Sequence, residues 1–402
     1  MRSVPVTTAA LVVAACHTAP PPPPPALHGT GVALASPVAL GFDSAGLAAV
    51  TDYLRSQVDS AFPSAVVAVG RHGQLALLAA VGHYARNDAR PVTPATIYDL
   101  ASLTKVIGLT TACMILVHEG RLGLDTAVQR YLPEFRGPNK ERVTIRHLLT
   151  HSAGLAADLP LYDSTRTRAA ALAFVDTAPL LWEPGVHFTY SDLSAIVLMQ
   201  VVERVTGEPL DRFLAERVVD PLGMTSTRFV PPPSWRSRIA PTEVDTMFRH
   251  RLLIGEVHDE SAARLGGVSG NAGLFSSAPD LAVFATWLLD ARAGRLTPGR
   301  RPGVSSSTIA EFLRRQDIPP GSSRALGWDT PSQPSSAGTR LSEHAFGHTG
   351  YTGTSIWMDP EKDLFIILLT NRVNPTRANT KILQVRPRVA DLVVNALREP
   401  DR

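Results

Sequence analysis

The chain has 402 residues, of which 44% are hydrophobic, and its formal net charge is only +3. This length and composition allow a sizeable core, in one large domain or in two interleaved subdomains. The basic residues are scattered, and no finger, RNA-binding or basic-helix motif accompanies them, which argues against nucleic acid as a partner.

The N-terminal stretch MRSVPVTTAALVVAAC predicts an export signal over residues 1–15. Its charged start, short apolar run and small residues are typical of a secretory signal. The segment VVAAC resembles a bacterial lipobox, which implies that Cys16 is lipidated and anchors the chain to a membrane facing the periplasm or cell exterior. A plain signal peptide with an incidental cysteine is the alternative. The following proline tract predicts an extended linker over residues 16–39.

The remaining pattern predicts a single domain over residues 40–398. Apolar spacing predicts a helix over 43–60, and two β-rich runs around His72 and Gly73 predict a hairpin. A long helical middle leads to a second hairpin, which turns at 360–363, and to a last helix from about Pro387. The order favours an α/β fold in which the terminal strands form one antiparallel sheet, flanked by the terminal helices, beside an all-α subdomain.

One stretch of the helical middle, SLTK, carries a candidate nucleophile. Ser102 and Lys105 are three residues apart, so on a helix their side chains share a face, about 4.5 Å apart along the axis. Lys105 falls in an apolar run, where burial would lower its pKa and make it a plausible base for Ser102. The alternative is that the pattern has no catalytic role, with Ser102 at an ordinary helix start and Lys105 solvated.

Two further segments make the pattern specific. FTYSDLSAIVL places Tyr190 and Asp192 before an apolar helix, and FGHTGYTGTSIWMDP places His348, Thr349 and Gly350 at the entry to an apolar strand. With SLTK they resemble the ordered motifs S-x-x-K, Y-x-N and K-T-G or H-T-G of serine penicillin-recognising enzymes. Flanking stretches such as TIRHLLTHSAGL resemble class C β-lactamase-related serine hydrolases, and HDESAARLGGVSGNAGLFSS is most similar to carboxypeptidases of the penicillin-binding-protein-4B type.

The resemblance implies a β-lactamase/transpeptidase-like fold and an acyl-enzyme mechanism without a metal or other cofactor. By position, Ser102 would be the acylated nucleophile, Lys105 would take or relay its proton, and Tyr190 would be a general base. The amides of Ser102 and Tyr351 would form an oxyanion hole. The substrate-binding residues implied by the motifs are Asp192, His348, Thr349, Gly350 and Tyr351.

Two residues depart from the family pattern. Asp192 stands where many relatives have asparagine, so its charge would hold Lys105 protonated or alter contact with a substrate amide. His348 replaces the usual lysine, attracts a carboxylate less, and would change charge near pH 6–7. This weakens the case for penicillins and for peptides ending in free D-alanine, and it leaves esters and neutral amides open.

Other patterns carry less weight. His147 and His151 lie four residues apart, but without an H-E-x-x-H glutamate they indicate helix-end hydrogen bonds rather than a metal site. Ser269, in GVSGN, is interpreted as a loop residue near the cleft. Three functions stay open: a hydrolase of peptidoglycan-type D-amino-acid amides or related esters, a β-lactamase or small-ester esterase, and a non-catalytic cell-wall-binding lipoprotein. The oligomeric state is not predicted.

Overall fold

The computed structural model describes residues 31–296, 302–332 and 334–398. The predicted export signal, Cys16 and the proline tract up to residue 30 lie outside the described residues. Residues 31–39, which the sequence predicts as the end of the linker, pack onto the folded domain. Val32 is buried, and the Ala35 amide donates to the Leu75 carbonyl at 2.9 Å.

The strands form one large sheet and two small ones. They are β1 (Ser64–Arg71), β2 (Gln74–Ala85), β3 (Asp88–Pro91), β4 (Ile97–Asp99), β5 (Arg228–Phe229), β6 (Val244–Asp245), β7 (Arg251–Leu252), β8 (Leu274–Ser277), β9 (Phe346–Thr349), β10 (Ser355–Asp359) and β11 (Leu364–Thr370). The large sheet has the order β3-β2-β1-β11-β10-β9, and its neighbouring strands are antiparallel. The central pair, β1 with β11, joins the two ends of the chain as predicted.

The helices lie mostly between the two hairpins. They are α1 (Ser44–Gln57), α2 (Thr111–His118), α3 (Ile145–Leu149), α4 (Leu161–Ser164), α5 (Arg168–Thr177), α6 (Asp192–Thr206), α7 (Leu210–Leu214), α8 (Asp220–Leu222), α9 (Glu260–Arg264), α10 (Ala278–Arg292), α11 (Ser306–Leu313) and α12 (Ile382–Asn395). Two π-helical segments, Lys105–Thr110 and Ala215–Val219, adjoin α2 and α7, and 3₁₀ turns occur at Val38–Leu40, Val128–Arg130, Lys140–Arg142 and Pro233–Arg238.

Side chains alternate across β1, so the sheet buries both faces. Val67 and Val69 point into a cluster with the terminal helices α1 and α12, whereas Val66 and Ala68 point into the larger core. This larger core contains α10 and the helices of the middle region. A strand buried on both faces reads as a continuous apolar run, which is how SAVVAV appears in the sequence.

Three details differ from the sequence-based prediction. The middle is not all helical, because β4, β8 and β5 form a small sheet and β6 pairs with β7. The sheet is also covered by α10, not by the terminal helices alone. The last helix begins at Ile382, and Pro387 lies inside it, because Val385, Val389 and Val393 continue one buried face through the proline.

In the described part of the chain, no helix has both the length and the apolar character needed to cross a bilayer. Cys113 is buried and is a free thiol in the described part of the chain.

Candidate active site

Ser102 lies in a tight turn between β4 and the helix that follows. Asp99, the last residue of β4, accepts the Ala101 amide at Oδ1, 2.8 Å away, and the His258 amide at Oδ2, 2.7 Å away. Ala101 has a φ of 46°, in the left-handed region that a residue with a side chain seldom adopts. The buried Asp99 side chain therefore stabilises a strained backbone that presents Ser102 at the surface of a cavity.

Lys105 is buried one turn later, at the start of the π-helical segment. Its Nζ lies 3.0 Å from Ser102 Oγ, 3.1 Å from the Asn271 carbonyl oxygen and 2.6 Å from Asp192 Oδ1. The first two oxygens accept hydrogen bonds from the ammonium, and the Asp192 carboxylate forms an ion pair with it. Ser102 Oγ is an acceptor in this arrangement, so its own proton remains available to another group.

The charge of Lys105 is decided by its neighbours. Burial by itself would lower its pKa, but the Asp192 carboxylate and the Tyr190 phenol outweigh burial and raise the pKa above its ordinary value. The prediction that burial makes Lys105 a neutral base is therefore wrong. Asp192 is the first residue of α6, where the helix N-terminus also favours a carboxylate. The alternative expectation, that Asp192 keeps Lys105 protonated, is the one the structure supports.

Tyr190 lies two residues before α6 and lines the same cavity as Ser102. The Lys105 ammonium is 4.9 Å from the centroid of its ring. Its hydroxyl is buried and makes no hydrogen bond to any described residue. A buried hydroxyl without a partner is uncommon and is consistent with a group that meets a substrate or a moving proton.

The end of β9 forms the opposite wall. His348, Thr349, Gly350 and Tyr351 all line the cavity. The backbone amides of Ser102 and Tyr351 donate to no other group in the described residues, so both stay free to bind an oxyanion. Only glycine fits at position 350, because a Cβ there would lie 2.4 Å from the Leu100 carbonyl oxygen.

His348 is neutral in this site. Its Nδ1 lies 2.8 Å from the Thr349 carbonyl oxygen and must donate, which leaves Nε2 as an unprotonated, buried atom without a partner among the described residues. Burial first, and then the charges of Arg324 and Lys105, keep the pKa of His348 well below its ordinary value. The predicted change of charge near pH 6–7 is therefore wrong.

Arg324 is a site residue that the sequence analysis missed. It lines the cavity of about 460 Å³ beside His348, and its guanidinium carbon lies 5.4 Å from the centroid of the Tyr190 ring. Nε and Nη1 are buried and make no hydrogen bond within the described chain, and the Asp329 carboxylate is 3.8 Å away. No motif marks this arginine, since it comes from an irregular segment between α11 and β9.

The other predicted candidates have bracing roles. Asp192 contacts Lys105 and is not among the residues found to line the cavity, so its predicted contact with substrate stays a prediction. Ser269 is buried in the loop next to the site and donates to Asn271 Oδ1 at 2.5 Å. His147 completes a capping box with Thr144 at the start of α3. Among the described residues, no group of three His, Cys, Asp or Glu side chains could hold a metal ion.

Comparison with known proteins finds a family model and curated relatives that cover most of the chain. Residues 50–389 match the model of the Beta-lactamase family. A Salmonella agona protein named "Putative D-alanyl-D-alanine carboxypeptidase" is 32% identical over 389 residues, which cover 87% of this chain and 88% of that protein.

Two solved structures share the fold. A penicillin-binding protein homologue from Caulobacter crescentus has a TM-score of 0.70 at 22% identity, with 89% of this chain and 99% of that chain covered. EstCE1, described as a hydrolase with promiscuous acyltransferase activity, has a TM-score of 0.69 at 24% identity over 87% of this chain and 99% of that chain. The family match over most of the chain, together with the curated relative, shows that the protein belongs to the Beta-lactamase family and is a serine hydrolase.

Proposed function

We propose that the protein is a serine hydrolase of the DD-carboxypeptidase type, which cleaves peptidoglycan-type D-amino-acid amides through an acyl-enzyme on Ser102. The name of the Salmonella agona relative supports this substrate class. The observation that carries the proposal is Arg324, a partly buried cation whose Nε and Nη1 make no hydrogen bond within the described chain and which lies in the cavity beside Ser102 and His348.

In the proposed acylation, Ser102 Oγ attacks the substrate carbonyl carbon. The Oγ–C bond forms, the Ser102 proton passes to Tyr190 acting in its deprotonated form, and the negative charge moves from the Tyr190 oxygen to the carbonyl oxygen, which faces the two free amides. The C–N bond then breaks, and the leaving amine takes the proton from Tyr190. In deacylation, water attacks the ester carbon, gives a proton to Tyr190, and Ser102 recovers its own proton as the C–Oγ bond breaks.

Lys105 acts as a fixed positive charge in this scheme. Its ammonium already donates to Ser102 Oγ and stabilises negative charge that develops on the Ser102 or Tyr190 oxygen. Asp192 holds that ammonium in its protonated form. The proton acceptor is therefore Tyr190 rather than Lys105.

Arg324 supplies the positive charge that His348 lacks. A carboxypeptidase substrate carries a carboxylate on its leaving group, and a neutral imidazole attracts this anion weakly. A guanidinium group binds a carboxylate through paired, charge-assisted hydrogen bonds. Because Arg324 has buried donors without partners and His348 stays neutral, the cavity favours a substrate with a terminal carboxylate.

The test compares a peptide ending in D-alanyl-D-alanine with the same peptide ending in a carboxamide. We expect Arg324→Gln to lower kcat/KM for the acid about 10- to 100-fold, since a hydrogen bond to a charged group contributes about 1.5–3 kcal/mol. The amide should be nearly unaffected. Arg314→Gln, which removes an exposed arginine paired with Glu311, is the matched control and should leave both rates unchanged. Equal effects of Arg324→Gln on both peptides would contradict the proposed carboxylate contact.

Fluorescent penicillin separates this proposal from its alternatives. A stable adduct that is lost in Ser102→Ala supports a carboxypeptidase. Rapid turnover of the penicillin identifies a β-lactamase, and hydrolysis of a nitrophenyl ester without labelling identifies an esterase. A chain that neither labels nor hydrolyses any of these substrates would fit the non-catalytic lipoprotein instead.

We also propose that the chain is exported and anchored through a lipid on Cys16. The support comes from the sequence, where a charged residue, an apolar run and small residues precede the cysteine. The proline-rich stretch after it would hold the domain away from the membrane.

A further inference from the structure

We propose that His151 is a positioning residue that restrains Tyr190, the proposed acceptor of the Ser102 proton, through the hydrogen bond accepted by its Nδ1 atom. This inference rests on the proposed role of Tyr190. It concerns a histidine that the sequence analysis interpreted only as part of a helix end.

Tyr190 lies at the end of an irregular segment, residues 178–191, and directly precedes Ser191, the N-cap of α6. His151 binds the residues on both sides of Tyr190. The Thr189 amide donates to the His151 carbonyl oxygen at 2.9 Å, and the Ser191 amide donates to His151 Nδ1 at 3.1 Å. The imidazole also packs on the Tyr190 ring, with the ring centroids 4.6 Å apart.

The backbone after His151 holds the rest of the same segment. The Gly185 amide donates to the Ser152 carbonyl at 2.8 Å, and the Leu181 amide donates to the Gly154 carbonyl at 2.7 Å. These contacts involve backbone atoms and do not depend on side-chain identity. Next to Tyr190, by contrast, the contact comes from the His151 side chain. Substitution of His151 should therefore move Tyr190 without detaching residues 178–191 as a whole.

The bond from Ser191 requires a particular form of the imidazole. Nδ1 accepts an amide proton only when it is unprotonated itself. Burial first, and then the positive charges of Arg324 and Lys105, keep the pKa of His151 well below its ordinary value. His151 is therefore neutral at physiological pH, and Nδ1 stays an acceptor.

A hydrogen bond of this kind affects the rate through geometry. A general base transfers a proton efficiently only within hydrogen-bond reach of the donor, and small displacements have large effects on the rate. The Tyr190 hydroxyl has no partner among the described residues that would restrain it from its other end. Its position thus depends on the backbone on either side, where His151 binds.

Two variants separate the hydrogen bond from the bulk of the ring. Asparagine places Oδ1 at the same number of bonds from the backbone as Nδ1, whereas glutamine places its oxygen one bond further out. Both variants lose the imidazole ring that packs on Tyr190. We expect His151→Asn to keep kcat for a nitrophenyl ester within about threefold of wild type, and His151→Gln to lower it about 10²-fold with KM little changed.

A double-mutant cycle tests whether the effect runs through the tyrosine. Tyr190→Phe should abolish the difference between the Asn and Gln variants, because residues that act as a unit are not additive. Thermal unfolding of both variants controls for a loss of folding. If His151→Asn is folded and loses as much kcat as His151→Gln, or if the two still differ in the Tyr190→Phe background, the inference is overturned.

If the proposed function itself were wrong, the same measurements would give a different set of results. In that case Ser102→Ala or Tyr190→Phe would retain wild-type ester hydrolysis, whatever the result at position 151. An inactive Ser102→Ala variant, together with a fully active His151→Gln variant, would reject the positioning role alone.

Discussion

Lys105 shows how neighbouring side chains can reverse the effect of burial on a pKa. Burial lowers the pKa of a lysine, and the apolar sequence around Lys105 predicted that outcome. The carboxylate of Asp192, 2.6 Å away, dominates instead and raises the pKa. The departure from the usual Y-x-N motif thus places a carboxylate that favours the charged form of Lys105 beside the candidate nucleophile.

Asp192→Asn tests the role of this charge. Without the carboxylate, burial should lower the pKa of Lys105, so the ammonium is lost at lower pH. If Lys105 acts as a fixed cation, the alkaline limb of kcat/KM moves down by about one pH unit or more. The measurement is kcat/KM for a nitrophenyl ester between about pH 6 and 10.

Asp125→Asn, at a surface carboxylate paired with Arg146, is the control and should leave the profile unchanged. A gain in activity at neutral pH in Asp192→Asn would show instead that neutral Lys105 is the base. That outcome would contradict the assignment of Tyr190 as proton acceptor.

The sequence predicted the residues that lie close together along the chain or within a motif. Ser102 and Lys105 are in contact because three-residue spacing brings their side chains together across the turn that leads into the helix. Arg324 and His151 could not be assigned in this way. Each contacts Tyr190 only through the tertiary fold, and neither has a spacing relation to Ser102.

At the scale of elements, long periodic segments were predicted well and short ones were not. The helix α1 and both hairpins are confirmed, because their apolar patterns extend over many residues. The strands β5, β6 and β7 have two residues each, too few for an alternating pattern to appear. The start of α12 was predicted at about Pro387, because proline suits the first turn of a helix. The helix begins earlier, at Ile382, and Pro387 lies inside it.

Two glycines in the site elements should respond differently to substitution by alanine. At Gly350, a Cβ would meet the Leu100 carbonyl at 2.4 Å and Thr354 Oγ1 at 2.1 Å, so Gly350→Ala should displace the end of β9 and abolish activity. At Gly108 the nearest atom would be Leu214 Cδ2 at 3.5 Å, an ordinary contact. Gly108→Ala should therefore keep activity and raise the free energy of unfolding by about 0.5–1 kcal/mol.

Chemical denaturation and ester hydrolysis measure both effects. Gly108→Ala is also the matched control for Gly350→Ala, since both substitutions add one methyl group at a glycine. Wild-type activity in Gly350→Ala would show that the end of β9 can move without loss of function, and would contradict its proposed role as a fixed wall of the site.

At the scale of the whole molecule, the sheet explains how distant motifs meet. Strands from both ends of the chain pair at its centre, and the end of β9 faces the turn after β4 and the start of α6. The order of the motifs predicted that these three segments form one site. The shape of the cavity, which depends on irregular segments such as 315–329, could not be predicted from the sequence.

The anchor proposal belongs to this scale. In a bacterial host that processes lipoproteins, we expect the full-length chain to partition into the detergent phase and Cys16→Ala to shift to the aqueous phase. Cys113→Ala, at the buried cysteine, is the control and should partition like wild type. Detergent-phase partitioning of Cys16→Ala would contradict a lipid on this residue.

The most direct test of the central claim is mass spectrometry of an acid-quenched reaction between the full chain and a peptide ester ending in D-alanyl-D-lactate. The ester has a better leaving group than an amide, so the acyl-enzyme should accumulate. We predict one acyl group per chain, located on the peptide that contains Ser102 and absent from Ser102→Ala. Turnover without a covalent species on Ser102, or an acyl group that persists in Ser102→Ala, would contradict the proposed mechanism.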